Sequence, residues 1–182
     1  RPERFVGLHF FSPVDKMPLV EVIPGSRTDD ATLAHALDFV QKLGKTPIVC
    51  RDREGFVVNR ILLPYMNEAA ILIEETGGDS DRIDRIATRF GMPMGPILLA
   101  DVVGLDVGYH VATILAGAFG KRMHVAEILK RVYDEKLLGE KGGRGFYVHR
   151  PGKRRVPNPD IAAWTRAARA TMKISDQIIE DR

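Results

Sequence analysis

Cysteine is almost missing from this chain. Cys50 is the only one in 182 residues. That excludes an internal disulfide framework and a cysteine-rich zinc site, and it fits a reducing compartment, so a cytoplasmic setting is expected. Long apolar runs are missing as well: nothing approaches the ~20 consecutive apolar residues of a membrane-spanning helix. Excess charge of one sign is slight. Lys and Arg total 27 against 24 Asp and Glu, a formal +3, which points only weakly to anionic ligands and does not argue for nucleic acid. There is no internal repeat and no low-complexity tract. With 45% hydrophobic and 28% charged residues, the composition is that of an ordinary globular protein and excludes disorder as the main state.

The order of elements can be read from periodicity. Residues 5–11 and 19–23 read as short strands separated by a segment holding Pro13 and Pro18. Residues 30–43 have helical spacing through Leu33, Leu37, Val40 and Leu43, with Asp29 as N-cap and Gly44 just past the end. Residues 46–50 read as another strand. The pattern changes at Gly55. From Phe56 to about Glu75, Val58, Ile61, Leu62, Tyr65, Met66, Ala69, Leu72 and Ile73 form one helical face, with Pro64 expected to bend it. Further helices are expected over 81–90, 97–103, 107–119 and about 125–137, and a short extended piece over 142–148. The basic, proline-containing tract 150–159 reads as a linker or surface loop, followed by a helix over 161–172 and another opened by Ser175. The opening residues show no leader pattern. The chain enters a strand by Val6 and ends two turns into a helix, so a piece of a longer polypeptide is expected.

Three side chains stand out. His9 lies within Gly7-Leu8-His9-Phe10-Phe11, and Glu21 within Leu19-Val20-Glu21-Val22-Ile23. A carboxylate between two valines is expensive to bury without a partner. Fully extended, the 12 residues between the two would span ~40 Å at roughly 3.3 Å per residue. A reversal near residue 15, where Pro13, Asp15, Lys16 and Pro18 supply turn chemistry, sets them opposite each other. A carboxylate bonded to an imidazole fixes its tautomer and stabilises its charged form, which suits a general base. The other reading is a core histidine with an unrelated glutamate. Asn59, one turn into the long helix, can offer a donor and an acceptor to a ligand, or be a polar residue on a solvated face. Asp106 reads as a helix N-cap. Gly142-Gly143-Arg144-Gly145 lacks the Walker spacing and reads as a turn, no Gly-x-Gly-x-x-Gly occurs, and the other histidines have no metal-ligand spacing.

Taken in order, these segments resemble the L-3-hydroxyacyl-CoA dehydrogenase family, and within it the dehydrogenase part of multifunctional fatty-acid β-oxidation enzymes. The resemblance is carried by Arg4-Phe5-Val6-Gly7-Leu8-His9-Phe10-Phe11-Ser12-Pro13, Met17-Pro18-Leu19-Val20-Glu21-Val22-Ile23-Pro24, Gly44-Lys45-Thr46-Pro47 and Gly55-Phe56-Val57-Val58-Asn59-Arg60. Gly91-Met92-Pro93-Met94-Gly95-Pro96, Asp101-Val102-Val103-Gly104-Leu105-Asp106 and residues 142–147 complete it. The resemblance implies the α/β tail of a Rossmann NAD-binding domain over 1–54, followed by a mostly α-helical C-terminal dehydrogenase domain over 55–148. Residues 149–182 would be a linker and the start of a second helical domain. It further implies NAD as cofactor, with the main NAD site upstream of residue 1, an acyl-CoA substrate, His9 as catalytic base, Glu21 as its partner and Asn59 as an active-site amide. Ser12 stands where many monofunctional members carry Asn. Expected partners are a second copy or a sister domain paired through the helices, a hydratase domain in the same chain and a thiolase. The piece alone is expected to be inactive. A non-catalytic assembly module and a catalytically dead relative remain as alternatives.

Overall fold

The computed structural model describes residues 1–165 and 174–182, and the chain divides into two compact units, Arg1–Arg60 and Ile61–Arg182. The first unit is a β–β–α–β arrangement. Strand β1 (Val6–Phe10) pairs antiparallel with β2 (Leu19–Pro24), and β2 pairs parallel with β3 (Thr46–Val49), so β2 is the central strand. A parallel pair needs a crossover, which helix α1 (Asp30–Lys42) supplies. The Asp29 carboxylate caps α1 by accepting from the Thr32 N–H at 2.6 Å, and Gly44, at φ +72°, takes the chain out of it. Val20 and Val22 on the sheet pack with Ala36 and Val40 of α1, flanked by Leu8, Phe10, Leu33 and Leu37. Each fully buried valine contributes roughly 1.5–3 kcal/mol. Outside this small core, Phe5 and Val49 remain exposed.

The second unit is helical. Helix α2 (Val58–Thr76) enters it with Pro64 inside its span, followed by α3 (Ser80–Phe90), α4 (Pro96–Val103), α5 (Leu105–Phe119) and α6 (Glu127–Asp134). Its core contains Ile73, Ile83, Ile86, Ile97, Leu105, Val132, Phe146 and Tyr147, and Ile161, Ile174 and Ile179 join the same cluster. Among the described residues, no single helix is long and apolar enough to cross a membrane.

The structure corrects three expectations. Helix α5 begins two residues early because Gly104, at φ +100°, makes the break from α4. Asp106 therefore lies inside the first turn rather than capping it, and it accepts from Lys141 Nζ at 2.6 Å. Helix α6 is shorter than its apolar spacing suggests, since the chain turns at Lys136 with φ +55°. The tract 150–159 is more than a linker or loop. Its residues Val156–Pro157 form β5, antiparallel to β4 (Tyr147–Val148), which makes a hairpin. Helix α7 (Pro159–Thr165) follows, and the remainder of the helix expected to 172 lies outside the described residues. In α8 (Asp176–Asp181), Ser175 caps as expected, accepting from the Ile178 N–H at 3.2 Å.

Candidate active site

The β1–β2 register places His9 directly opposite Glu21. His9 Nδ1 lies 2.7 Å from Glu21 Oε2. The glutamate is fully buried, whereas the His9 side chain is 34% exposed, so part of the imidazole is accessible to a ligand. The ring is framed by Phe11, with centroids 4.8 Å apart and rings edge-on, and by Phe56 at 5.5 Å. With Nδ1 bonded to the carboxylate, Nδ1 carries the proton and Nε2 is left with a lone pair.

Glu21 holds more than His9. Its other oxygen, Oε1, accepts from the backbone N–H groups of Val57 and Val58, both at 2.9 Å. These are the unpaired donors at the start of α2, and a carboxylate there satisfies them and complements the positive end of the helix. The turn that aims them is left-handed twice, at Gly55 (φ +75°) and at Phe56 (φ +46°). A non-glycine residue in that region costs roughly 1–2 kcal/mol. Phe56 thus sits in a strained conformation that both frames the histidine and delivers the two N–H groups.

Asn59 lies in the first turn of α2, half-buried, and its amide has no hydrogen-bond partner among the described residues. Donor and acceptor are both available to a ligand. The structure therefore brings His9 and Glu21 into contact, and sets Asn59 two residues along the chain from the N–H of Val57. Sequence reasoning missed Phe56 and the paired backbone donors. The only available signal was Gly55 followed by an aromatic at a helix start. Cys50 is buried, and burial together with the charge of Glu21 pushes its thiol up, away from thiolate chemistry.

A second set of buried carboxylates lies in the helical unit and was also missed. Asp101 Oδ1 accepts from the Phe146 N–H at 2.8 Å, and Oδ2 accepts from the Tyr147 N–H at 2.9 Å and lies 2.7 Å from His149 Nε2. Asp84 accepts from the N–H groups of Ile97 and Leu98 and from the Tyr147 hydroxyl at 2.7 Å. Burial pushes both carboxyls above their ordinary range against the pull of these bonds, and burial beside Asp84 pushes the Tyr147 hydroxyl up. Two glycines make room: a Cβ on Gly95 would lie 2.3 Å from Asp84, and one on Gly145 2.1 Å from Asp101.

Comparison with known proteins follows the division of the chain. Residues 1–53 match the family described as 3-hydroxyacyl-CoA dehydrogenase, NAD binding domain, and residues 55–149 match 3-hydroxyacyl-CoA dehydrogenase, C-terminal domain. Among solved structures, the (S)-3-hydroxybutyryl-CoA dehydrogenase of Ralstonia eutropha is 39% identical with a TM-score of 0.77, covering 81% of this chain and 53% of that one. The 3-hydroxybutyryl-CoA dehydrogenase of Escherichia coli is 36% identical with a TM-score of 0.77, covering 85% and 34%. The dehydrogenase part of multifunctional enzyme 1 from C. elegans is 32% identical with a TM-score of 0.66, covering 96% and 40%. The chain thus spans about half or less of the length of these neighbours.

Proposed function

We infer that this chain, which belongs to the 3-hydroxyacyl-CoA dehydrogenase family, is the part of an NAD-dependent oxidoreductase that deprotonates its substrate. The reaction is oxidation of an (S)-3-hydroxyacyl-CoA to the 3-ketoacyl-CoA, within fatty-acid β-oxidation. The observation that carries the reading is the 2.7 Å pairing of partly exposed His9 with fully buried Glu21. His9 Nε2 takes the proton of the 3-hydroxyl. Glu21 holds the ring in the required tautomer and stabilises the imidazolium that forms. Asn59 holds a substrate oxygen through its unpaired amide and limits the poses that reach Nε2.

NAD is the cofactor that the matched domain implies. The residues present do not build its phosphate site. The chain has no Gly-x-Gly-x-x-Gly turn, and the orphaned buried side-chain atoms among the described residues, on Tyr65 and Ser80, both lie in the helical unit. The dinucleotide is accordingly assigned to the whole enzyme, and the 182-residue chain alone is expected to be inactive.

The domain reading is an α/β tail over 1–54, a helical dehydrogenase domain over 55–148, and the opening of a second helical domain over 149–182. The 96% coverage of this chain by the multifunctional neighbour supports it. Pairing through the helices, a hydratase domain in the same polypeptide, a thiolase partner and a cytoplasmic setting complete the proposal. The test is NADH formation from (S)-3-hydroxybutyryl-CoA by the enzyme containing this chain, beside its His9→Ala variant. A loss of roughly 10²–10⁴-fold is expected. Turnover indifferent to His9 would remove it as the base. A parent enzyme that binds acyl-CoA without turning it over would favour the assembly module or the dead relative.

A further inference from the structure

The hairpin that carries His9 is closed by an exposed loop. The β1–β2 register runs from Val6↔Pro24 to Phe10↔Val20, so His9↔Glu21 is the last pair but one before residues 11–18 reverse the chain. Pairs at the end of a ladder open more readily than central ones. Residues 12–18 are all exposed, Val14 by 52% and Met17 by 38%, so no buried side chain anchors them. The loop nevertheless begins at Phe11, whose ring stands edge-on to the imidazole at 4.8 Å. A shift of the loop therefore moves a wall of the histidine's surroundings.

Lys45 holds this loop. Its Nζ donates to the Val14 carbonyl at 2.5 Å and to the Met17 carbonyl at 2.8 Å. Among the described residues, no other side chain from outside the loop bonds to its backbone, and Lys45 has no carboxylate within ion-pair distance. Bonds from an ammonium are charge-assisted and roughly twice as strong as neutral ones. The lysine starts from a fixed point. Its N–H donates to the Val40 carbonyl at 3.2 Å as the chain leaves α1, and Thr46, the next residue, opens β3 opposite Leu19. The Thr46 N–H donates to the Pro18 carbonyl at 2.8 Å. Two successive residues thus fasten the loop, one at its middle and one where it enters β2. Inside the loop, the N–H groups of Lys16 and Met17 both turn back to the Pro13 carbonyl, each at 3.0 Å, so the loop's own bonds use neither carbonyl that Lys45 takes.

We propose that Lys45 is a positioning residue for the base: by pinning the β1–β2 loop from the end of α1, its ammonium keeps His9 and Phe11 in the arrangement that Glu21 requires. The proposal rests on the dehydrogenase reading given above and lies wholly within the first unit. It gives Lys45 no contact with substrate. The ammonium acts through the two carbonyls and not through its charge alone. Lys16, in the same loop, carries the same charge, and its side chain has no partner among the described residues, so it serves as the control.

The test compares Lys45→Met, Lys45→Arg and Lys16→Met in the enzyme that contains this chain, by NADH formation from (S)-3-hydroxybutyryl-CoA. Lys45→Met keeps the stem and removes the donors. It should lower kcat by roughly ten- to a hundredfold, the upper figure being the cost of a misplacement of about 1 Å. The ratio kcat/KM should fall in step, since reacting geometry is lost rather than substrate binding. Lys45→Arg keeps charge and donors and should recover most of the loss, and Lys16→Met should match wild type. The proton on His9 Nδ1 supplies a second readout, in this chain. In Lys45→Met it should exchange with water faster than in wild type, while the N–H groups of Val57 and Val58, held by the same Glu21, stay protected. A role in folding alone would lower Tm and release both sets together, and that outcome overturns the proposal. Wild-type kcat in Lys45→Met overturns it too, as does a raised KM at constant kcat, which would place the ammonium on the substrate. Equal losses in Lys16→Met would overturn it in favour of local charge. If Lys45→Met does not fold, Lys45→Gln, which still donates to one carbonyl, is judged by the same criteria. An enzyme that makes no NADH from any 3-hydroxyacyl-CoA rejects the dehydrogenase reading; the Nδ1 proton then decides Lys45 alone, and an unchanged exchange rate overturns its role.

Discussion

Glu21→Gln separates the two tasks of the buried carboxylate. The glutamine carbonyl can still accept from the N–H groups of Val57 and Val58, both now 2.9 Å from Glu21 Oε1. Its amide NH2 then faces His9 Nδ1, where Oε2 had stood at 2.7 Å. An amide donor there is satisfied only by the other tautomer, with the proton on Nε2 and a lone pair on Nδ1. In that tautomer Nε2 has no lone pair to take a substrate proton. The expected loss in kcat is roughly 10²–10⁴-fold, the usual contribution of general-base catalysis. Stability should fall by only about 1–3 kcal/mol, because charge-assisted bonds become neutral ones while both helix donors stay paired. Glu21→Ala should be worse for folding, since it leaves the N–H groups of Val57 and Val58 without their acceptor. The assay pairs NADH formation by the whole enzyme with imidazole ¹⁵N chemical shifts of His9 in this chain. A Gln variant that keeps wild-type turnover while its shifts report Nε2–H would refute the reasoning.

Three further outcomes are expected. Asp101→Asn should destabilise the helical unit by about 2–4 kcal/mol in urea titration, because an amide cannot accept from both the Phe146 and Tyr147 N–H groups that the carboxylate now holds; an unchanged midpoint would remove the carboxylate as a clamp. Gly145→Ala, whose Cβ would lie 2.1 Å from Asp101 Oδ1, should cost about 1–3 kcal/mol, checked by thermal unfolding, while Gly117→Ala, with open space around it, should not. Lys141 holds the Asp106 carboxyl below its ordinary value of 3.8. The folded value is the depressed one, so the pair stabilises fully above the unfolded value and its contribution is lost as pH falls through the folded value. The pair is solvent-exposed, so Asp106→Asn should remove only about 1–3 °C of the fall in Tm on acidification, and a slope identical to wild type would show that the pair contributes nothing.

The first unit was legible because its key contacts are local or symmetric about one turn. His9 and Glu21 are equidistant from residue 15, so a single reversal defined their register. The caps at Asp29 and Ser175 were visible for the same reason, since each acts within three residues. What escaped was long-range. Asp101 meets its partners 45 to 48 residues away and Asp84 meets the Tyr147 hydroxyl 63 away, and no local pattern announces such pairs. Asp106 was misplaced because its residue type suits a cap while the backbone of Gly104 decides where the helix starts. The prolines of 150–159 suggested a linker, yet Pro157 can sit in β5 because that strand is two residues long and pairs on one side only.

On the reading proposed above, Glu21 would serve the base and the fold at once, and this sets an order in which the site can decay. His9 is partly exposed and anchors nothing but its own ring, so it can be exchanged with little harm to the fold. Glu21 cannot leave without freeing the first turn of α2. A descendant that lost its chemistry but kept its shape would therefore shed the imidazole first and retain an apparently purposeless buried glutamate, a relic by which silent members of such a lineage could be told from working ones.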